Sequence, residues 1–364
     1  MGEDTSATIL RGTIEPSLNT TLSNSGNYNV GTYTLRYDNF TLTYKGLSNP
    51  YGYNIAYSTG TRTVDPKPLT VIYSASDRNY NGNKQAAVTP QISGVVTGDL
   101  VGLTQTAEFA SENVQYVNGS VVDQAVSISI TGKTGADSGN YSISTNEYSV
   151  LAKILPKTAT LSGSRAYDGT DIIVSSDLTV STGIADETLQ LTGSATVNSK
   201  DVNDATHLSD VNSLTLQNSN NGLAGNYTLI ADVGSSPFLI VKKKVQLTAE
   251  KVYDGKRSLD AAHFGNSLKT GVDGETLTLT GVAQANNAHV INAKNIGNWD
   301  TLVLGDGDGD GGLAANYALP AEGDVIVSVL PFELTLEPGS SVTKVYDGTN
   351  GSANLPMSFK LENW

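Results

Sequence analysis

Short runs of strict apolar/polar alternation recur along the chain. Thr-Leu-Gln-Leu-Thr at 188–192, Thr-Leu-Thr-Leu-Thr at 276–280 and Val-Ser-Ile-Ser-Ile at 126–130 place every second side chain on one face. That period of two predicts half-buried strands. β-Branched residues and Tyr fill the runs, while Gly, Asn, Asp and Pro separate them. Helical periodicity is almost absent; Ser258 to Leu268 could form a turn or two. The pattern predicts an all-β protein, with at most minor α content.

Self-similarity then sets the scale. Tyr-Asp-Gly stands at Tyr167-Asp168-Gly169, Tyr253-Asp254-Gly255 and Tyr346-Asp347-Gly348, with a relaxed copy at Tyr80-Asn81-Gly82; their tyrosines lie 87, 86 and 93 residues apart. An Asn-Tyr pair follows at Asn140-Tyr141, Asn226-Tyr227 and Asn316-Tyr317, 61, 60 and 64 residues after each tyrosine. An acid preceding an apolar alternation falls at Asp99, Glu187 and Glu275, each 88 apart. An apolar junction closes each copy at Pro66-Lys67, Pro156-Lys157, Lys242-Lys243 and Pro331-Phe332. Four markers in one order give a repeat of about 88 residues.

The expected division is a late part of a repeat at 1–67, repeats at 68–156, 157–243 and 244–332, and the opening of another at 333–364. The chain thus reads as a piece of a longer array, with Met1-Gly2 an artefact; natural end caps are the alternative. A unit of this size suits a small β-sandwich, immunoglobulin-like in general shape, although a β-grasp-like module fits equally. Tandem modules of this kind would be elongated. Within each, Asp-Gly reads as type I′ hairpin chemistry, with the preceding tyrosine packing its ring on the core and its hydroxyl at the wet end.

The strings KVYDG (251–255 and 344–348), AGNYTL (224–229) and NVGTYTL (29–35) resemble the YDG and related MBG repeat modules. Those occur in tandem in large bacterial surface adhesins of the filamentous-haemagglutinin-like, two-partner-secretion kind. The resemblance implies a secreted or cell-surface location and a stalk or adhesive repeat region, with neighbouring repeats as its first partners. It carries no catalytic set. Asn81 in place of Asp departs from the pattern.

Composition narrows the chemistry. The 36 Asp+Glu outnumber the 22 Lys+Arg, a net charge of −14 and the wrong sign for binding nucleic acid. No apolar run is long enough for membrane insertion by this segment. The absence of Cys removes disulfides, thiolate catalysis and Cys-ligated metals, and three histidines leave little for a His cage. Nucleophile elbows, phosphate loops and HExxH motifs are missing, so the expectation is a chain that is not an enzyme.

Two local candidates remain. Asp306, Asp308 and Asp310, with Gly311 following, resemble the opening of a calcium loop, but position 12 is Tyr317 instead of a bidentate Glu. The expectation is no cofactor, with calcium at this loop as the alternative. Trp299 and exposed tyrosines are candidates to stack on a host glycan, a matrix polysaccharide or a surface protein. Asp201, Asp204, His207 and Asp210 read as a solvated acidic loop.

Overall fold

The computed structural model describes residues 10–16, 21–44, 47–48, 58–230, 233–309, 311–333 and 345–349. Strands and short 3₁₀ turns make up their regular structure, as the alternation predicts. The chain divides into two compact units. The first comprises Met1–Thr160, Val180–Gln190 and Leu216–Ile230; the second comprises Leu161–Thr179, Leu191–Thr215 and Ala231–Trp364. The cut runs through the middle repeat, so the compact unit is out of phase with the sequence repeat.

In the first unit, strand Gly31–Tyr44 pairs antiparallel with Leu10–Pro16 on one side and Gly60–Val64 on the other. Beyond it, Gly102–Phe109, Gln124–Thr134 and Glu147–Ala152 form an antiparallel sheet with the long strand in the centre. Strand Lys67–Ala75 pairs antiparallel with Val88–Ser93 and parallel with Tyr141–Ile143. The alternate residues Val71, Tyr73, Ala107, Phe109, Val126, Ile128 and Ile130 face one core, which Tyr80, Ile154, Leu189 and Tyr227 complete. Period-two burial along Gln124–Thr134 is the alternation read in the sequence, converted into one apolar face.

The second unit holds two copies of an antiparallel three-stranded sheet. One is Ile172–Val174, Ser194–Val197 and Leu208–Asp210; the other is Ser258–Asp260, Val282–Ala285 and Ile296–Asn298. Residues 163–166 run parallel to Phe238–Val241, and Thr248–Val252 runs parallel to Ile326–Leu330. The segment 258–268 becomes strand Ser258–Asp260 and the 3₁₀ turn Ala261–Ser267, whose start Asp260 caps by accepting the Ala262 N–H.

One rule holds in every repeat: the opening strand lies parallel to the strand that begins with the Asn-Tyr tyrosine. Residues 67–69, 157–159 and 243–244 pair with Tyr141–Ile143, Tyr227–Leu229 and Tyr317–Ala318. Parallel neighbours need a long crossover, and the intervening residues supply it.

Tyr-Asp-Gly is not a hairpin turn, which corrects the type I′ reading. A type I′ turn needs positive φ at both central residues. Gly82, Gly169, Gly255 and Gly348 have φ of 79°, 85°, 75° and 68°, but Asn81 and the three Asp residues do not share it. The strand ending at Ala166 does not fold back on its successor: Ile172–Val174 pairs with Ser194–Val197 instead. The acid makes an Asx turn. Asp168, Asp254 and Asp347 Oδ1 each accept the N–H two residues on, at 2.9, 3.0 and 3.0 Å. Asn81 does the same for Asn83 at 3.2 Å, which explains why the amide replaces the acid without loss of form.

Candidate functional site: the contact between repeats

Each Tyr-Asp-Gly opens with a base two residues before the tyrosine. Arg78 Nη1 donates to Asn81 Oδ1 at 2.6 Å, Arg165 pairs with Asp168, and Lys251 Nζ lies 2.7 Å from Asp254 Oδ1. Lys251 is buried and also donates to the carbonyls of Lys256 and Ser258 at 3.2 and 3.0 Å. Its desolvation is offset because every interaction is with an oxygen acceptor. The base ties the turn to the strand end and so fixes where the tyrosine ring projects.

That ring leaves its own repeat. Tyr167 Oη donates to Glu275 Oε1 at 2.6 Å, while Tyr317 Oη donates to Oε2 of the same carboxylate at 2.5 Å. The two rings meet edge to face, centroids 5.4 Å apart and planes at 77°. The first unit repeats the arrangement. Tyr80 and Tyr227 donate to Glu187 Oε1 and Oε2 at 2.7 and 2.6 Å, with centroids 5.4 Å apart at 74°. All four tyrosines are buried. The hydroxyl is therefore not at a wet end, as the sequence suggests, but is enclosed against the acid of the following repeat.

Glu187 and Glu275 are set by local structure. Thr182 Oγ1 donates to the Glu187 carbonyl at 3.0 Å and Thr270 Oγ1 to that of Glu275 at 2.9 Å. The glycine of the preceding motif must stay small. A Cβ on Gly169 would sit 2.7 Å from Val272 Cγ1, and one on Gly82 3.3 Å from Ile184 Cγ2.

The Asn of Asn-Tyr makes the second half of the contact. Asn226 Oδ1 accepts the Val114 N–H at 2.9 Å, and its Nδ2 donates to Asn113 Oδ1 at 2.7 Å. Asn316 Oδ1 likewise accepts the Val202 N–H at 2.9 Å and donates to Asp201 Oδ1 at 2.8 Å. Asn140 repeats it with the Val30 N–H and Asn29, at 2.8 and 2.7 Å. Both Asn226 and Asn316 are almost wholly buried, each at the end of a 3₁₀ turn. A buried amide with donor and acceptor both satisfied fixes register between segments. Asp201, read as a solvated loop acid, is thus one side of this contact.

Burial first, and the bond to Glu187 second, push the Tyr80 hydroxyl pKa up to about 12. Burial and then the bond to Glu187 raise Tyr227 as well, and burial and then the bond to Glu275 raise Tyr167 and Tyr317. At the start of the chain the acid is Asp99. It accepts the Ser25 N–H at 2.9 Å and the Tyr141 hydroxyl at 2.6 Å, and the bonds from Ser25 and then Tyr141 lower its pKa to about 2.

The remaining candidates stand apart. Asp306 Oδ1 accepts the Ala314 N–H at 2.7 Å, as Asn218 Oδ1 accepts that of Ala224 at 2.7 Å one repeat earlier. Asp308 lies in the following turn and Asp310 outside the described residues. No cluster of three metal-ligating side chains occurs among the described residues. Trp299 is half-buried beside Phe264 and donates its Nε1–H to the Pro320 carbonyl at 3.2 Å. Tyr346 is almost fully exposed.

Sequence reasoning found the tyrosines and Asn-Tyr pairs but missed two sets of participants: the bases at 78, 165 and 251, and the Asn29-Val30, Asn113-Val114 and Asp201-Val202 steps. Their common spacing was the available signal. Comparison with known proteins agrees with this periodicity. No curated protein and no solved structure matches the chain, but the YDG domain matches it three times, over residues 65–148, 152–235 and 241–324. With most of its length so matched, the chain belongs to the YDG domain family.

Proposed function

We propose that this chain is a non-catalytic repeat region of a large secreted bacterial surface adhesin, a stalk that spaces an adhesive part for cell, host or matrix attachment. The observation that carries this reading is the recurring Tyr–Glu–Tyr contact. Buried tyrosine hydroxyls and asparagine amides converge there and join one repeat to the next. A carboxylate whose two oxygens each accept a tyrosine proton, as in Glu275, is a poor general base, which supports a structural role. The net charge of −14 favours solubility and mutual repulsion of parallel copies.

Protease shaving of intact cells that make the whole parent protein tests the location. Release of YDG-containing peptides is expected; retention behind the cell envelope would overturn the reading. A glycan array tests the spacer against an adhesive module. Flat binding is expected, and micromolar binding lost in Trp299→Ala would replace the spacer with a lectin-like role.

A further inference from the structure

The contact between repeats has two faces. The acceptor face carries the acid and Asn-Tyr; the donor face carries the Tyr-Asp-Gly tyrosine and a capped step ending in Val. On the donor face the cap is Ser111 for Asn113 and Ser199 for Asp201, each Oγ accepting the N–H two residues on at 3.1 Å. The same device stands once more in the second unit. Asn287 Oδ1 accepts the His289 N–H at 2.9 Å, and Val290 follows, 88 residues after Val202. The backbone turn is also the same: the carbonyls of Asp201 and His289 each accept from the residues three and four further on. Tyr253 stacks on the His289 ring, centroids 6.2 Å apart.

This third donor face differs from the others in one respect. Tyr80 and Tyr167 are 5% and 1% exposed and Asn113 and Asp201 are half-buried, whereas Tyr253 is half-buried, His289 is exposed and Ile291 is 79% exposed; Val290 is half-buried, as Val202 is. No acid among the described residues meets the Tyr253 hydroxyl.

We propose that Tyr253, His289 and Val290 form a docking surface for the acceptor face of one further YDG module. That module would present a Glu to Tyr253 and an Asn-Tyr pair to the His289-Val290 step. Its Asn carbonyl would accept the Val290 N–H, and its amide would donate to a neutral ring nitrogen of His289, as Asn316 does with Val202 and Asp201. The occupant's chemistry follows from the two filled copies of the same face. The surface does not depend on where the chain operates, so it would survive failure of the adhesin reading.

The test appends a further module. Both KVYDG strings are identical, so residues 256–332 can be spliced after Gly348, giving the chain a further module with its own Glu and Asn-Tyr. Amide hydrogen exchange should show Val290 slowed about tenfold or more on extension, approaching Val202. Tyr253→Phe should lower the melting temperature by about 4 °C in the extended chain and by less than about 1 °C in the native one. Equal Val290 exchange and equal Tyr253→Phe effects in both chains would overturn the proposal. An appended module that stays unfolded would overturn it too, because the same sequence folds where Tyr167 and Val202 face it.

Discussion

Asp99 and Glu275 hold the same place in the repeat but are filled differently. Glu275 accepts one tyrosine hydroxyl from its own repeat and one from the repeat before. Asp99 accepts Tyr141 from its own repeat, but a backbone N–H, that of Ser25, takes the place of the second tyrosine. The side chain is one methylene shorter where the donor is backbone and longer where two rings must fit edge to face. What the repeat fixes is an acceptor carboxylate beside its own Asn-Tyr; the donor is whatever the preceding segment can deliver. The Asn contact does not vary in this way. In all three copies it joins a Val N–H and a polar side chain preceding it.

The comparison can be broken hardest at the acid. Glu275→Ala leaves the buried hydroxyls of Tyr167 and Tyr317 without an acceptor, and should cost about 3 kcal/mol in urea unfolding. Asp99→Ala should cost less, because it orphans one buried tyrosine hydroxyl, that of Tyr141, and not two. Asn226→Ala orphans the buried Val114 N–H and should cost about 2 kcal/mol, with rapid exchange of that amide as the local signature. Tyr167→Phe removes one charge-assisted bond while keeping the ring packing, so about 1.5 kcal/mol is expected.

Titration separates the two kinds of site. The junction tyrosines are raised above their unfolded value of 10.0, so their stabilisation is complete below pH 10 and is lost as pH rises through their folded values, about 12 for Tyr80. Asp99 is lowered from 3.8 to about 2, so its contribution is present above pH 3.8 and is lost as pH falls through 2. Absorbance of tyrosinate followed alongside circular dichroism should show a late, cooperative alkaline step that Tyr80→Phe and Tyr167→Phe bring to lower pH.

The smallest effect is expected at the acidic loop. Asp306→Asn should change stability by less than about 0.5 kcal/mol, since Asn218 makes the equivalent bond. A melting temperature insensitive to EDTA would dismiss calcium there, and a shift of several degrees would restore it.

Much of this was legible in the chain. Alternation at period two gives strands because successive side chains point to opposite faces, and one buried face follows whatever the topology. The spacing of Tyr-Asp-Gly and Asn-Tyr establishes the repeat for the same reason that any tandem fold does: identical local chemistry builds identical elements. Even the Asx turn lies in the sequence, because Asp or Asn closes it by reaching two residues along its own backbone.

What the sequence could not decide is which repeat each side chain serves. Tyr167 and Glu275 are 108 residues apart, and Asn316 and Val202 are 114 apart. Nothing local distinguishes a tyrosine that packs at home from one that crosses to a neighbour. Only the fold does, by laying each opening strand parallel to its Asn-Tyr strand and so bringing one repeat's turn against the next repeat's acid. The compact unit is consequently cut through a repeat and not between repeats, since burial follows contacts in space and not the period of the chain.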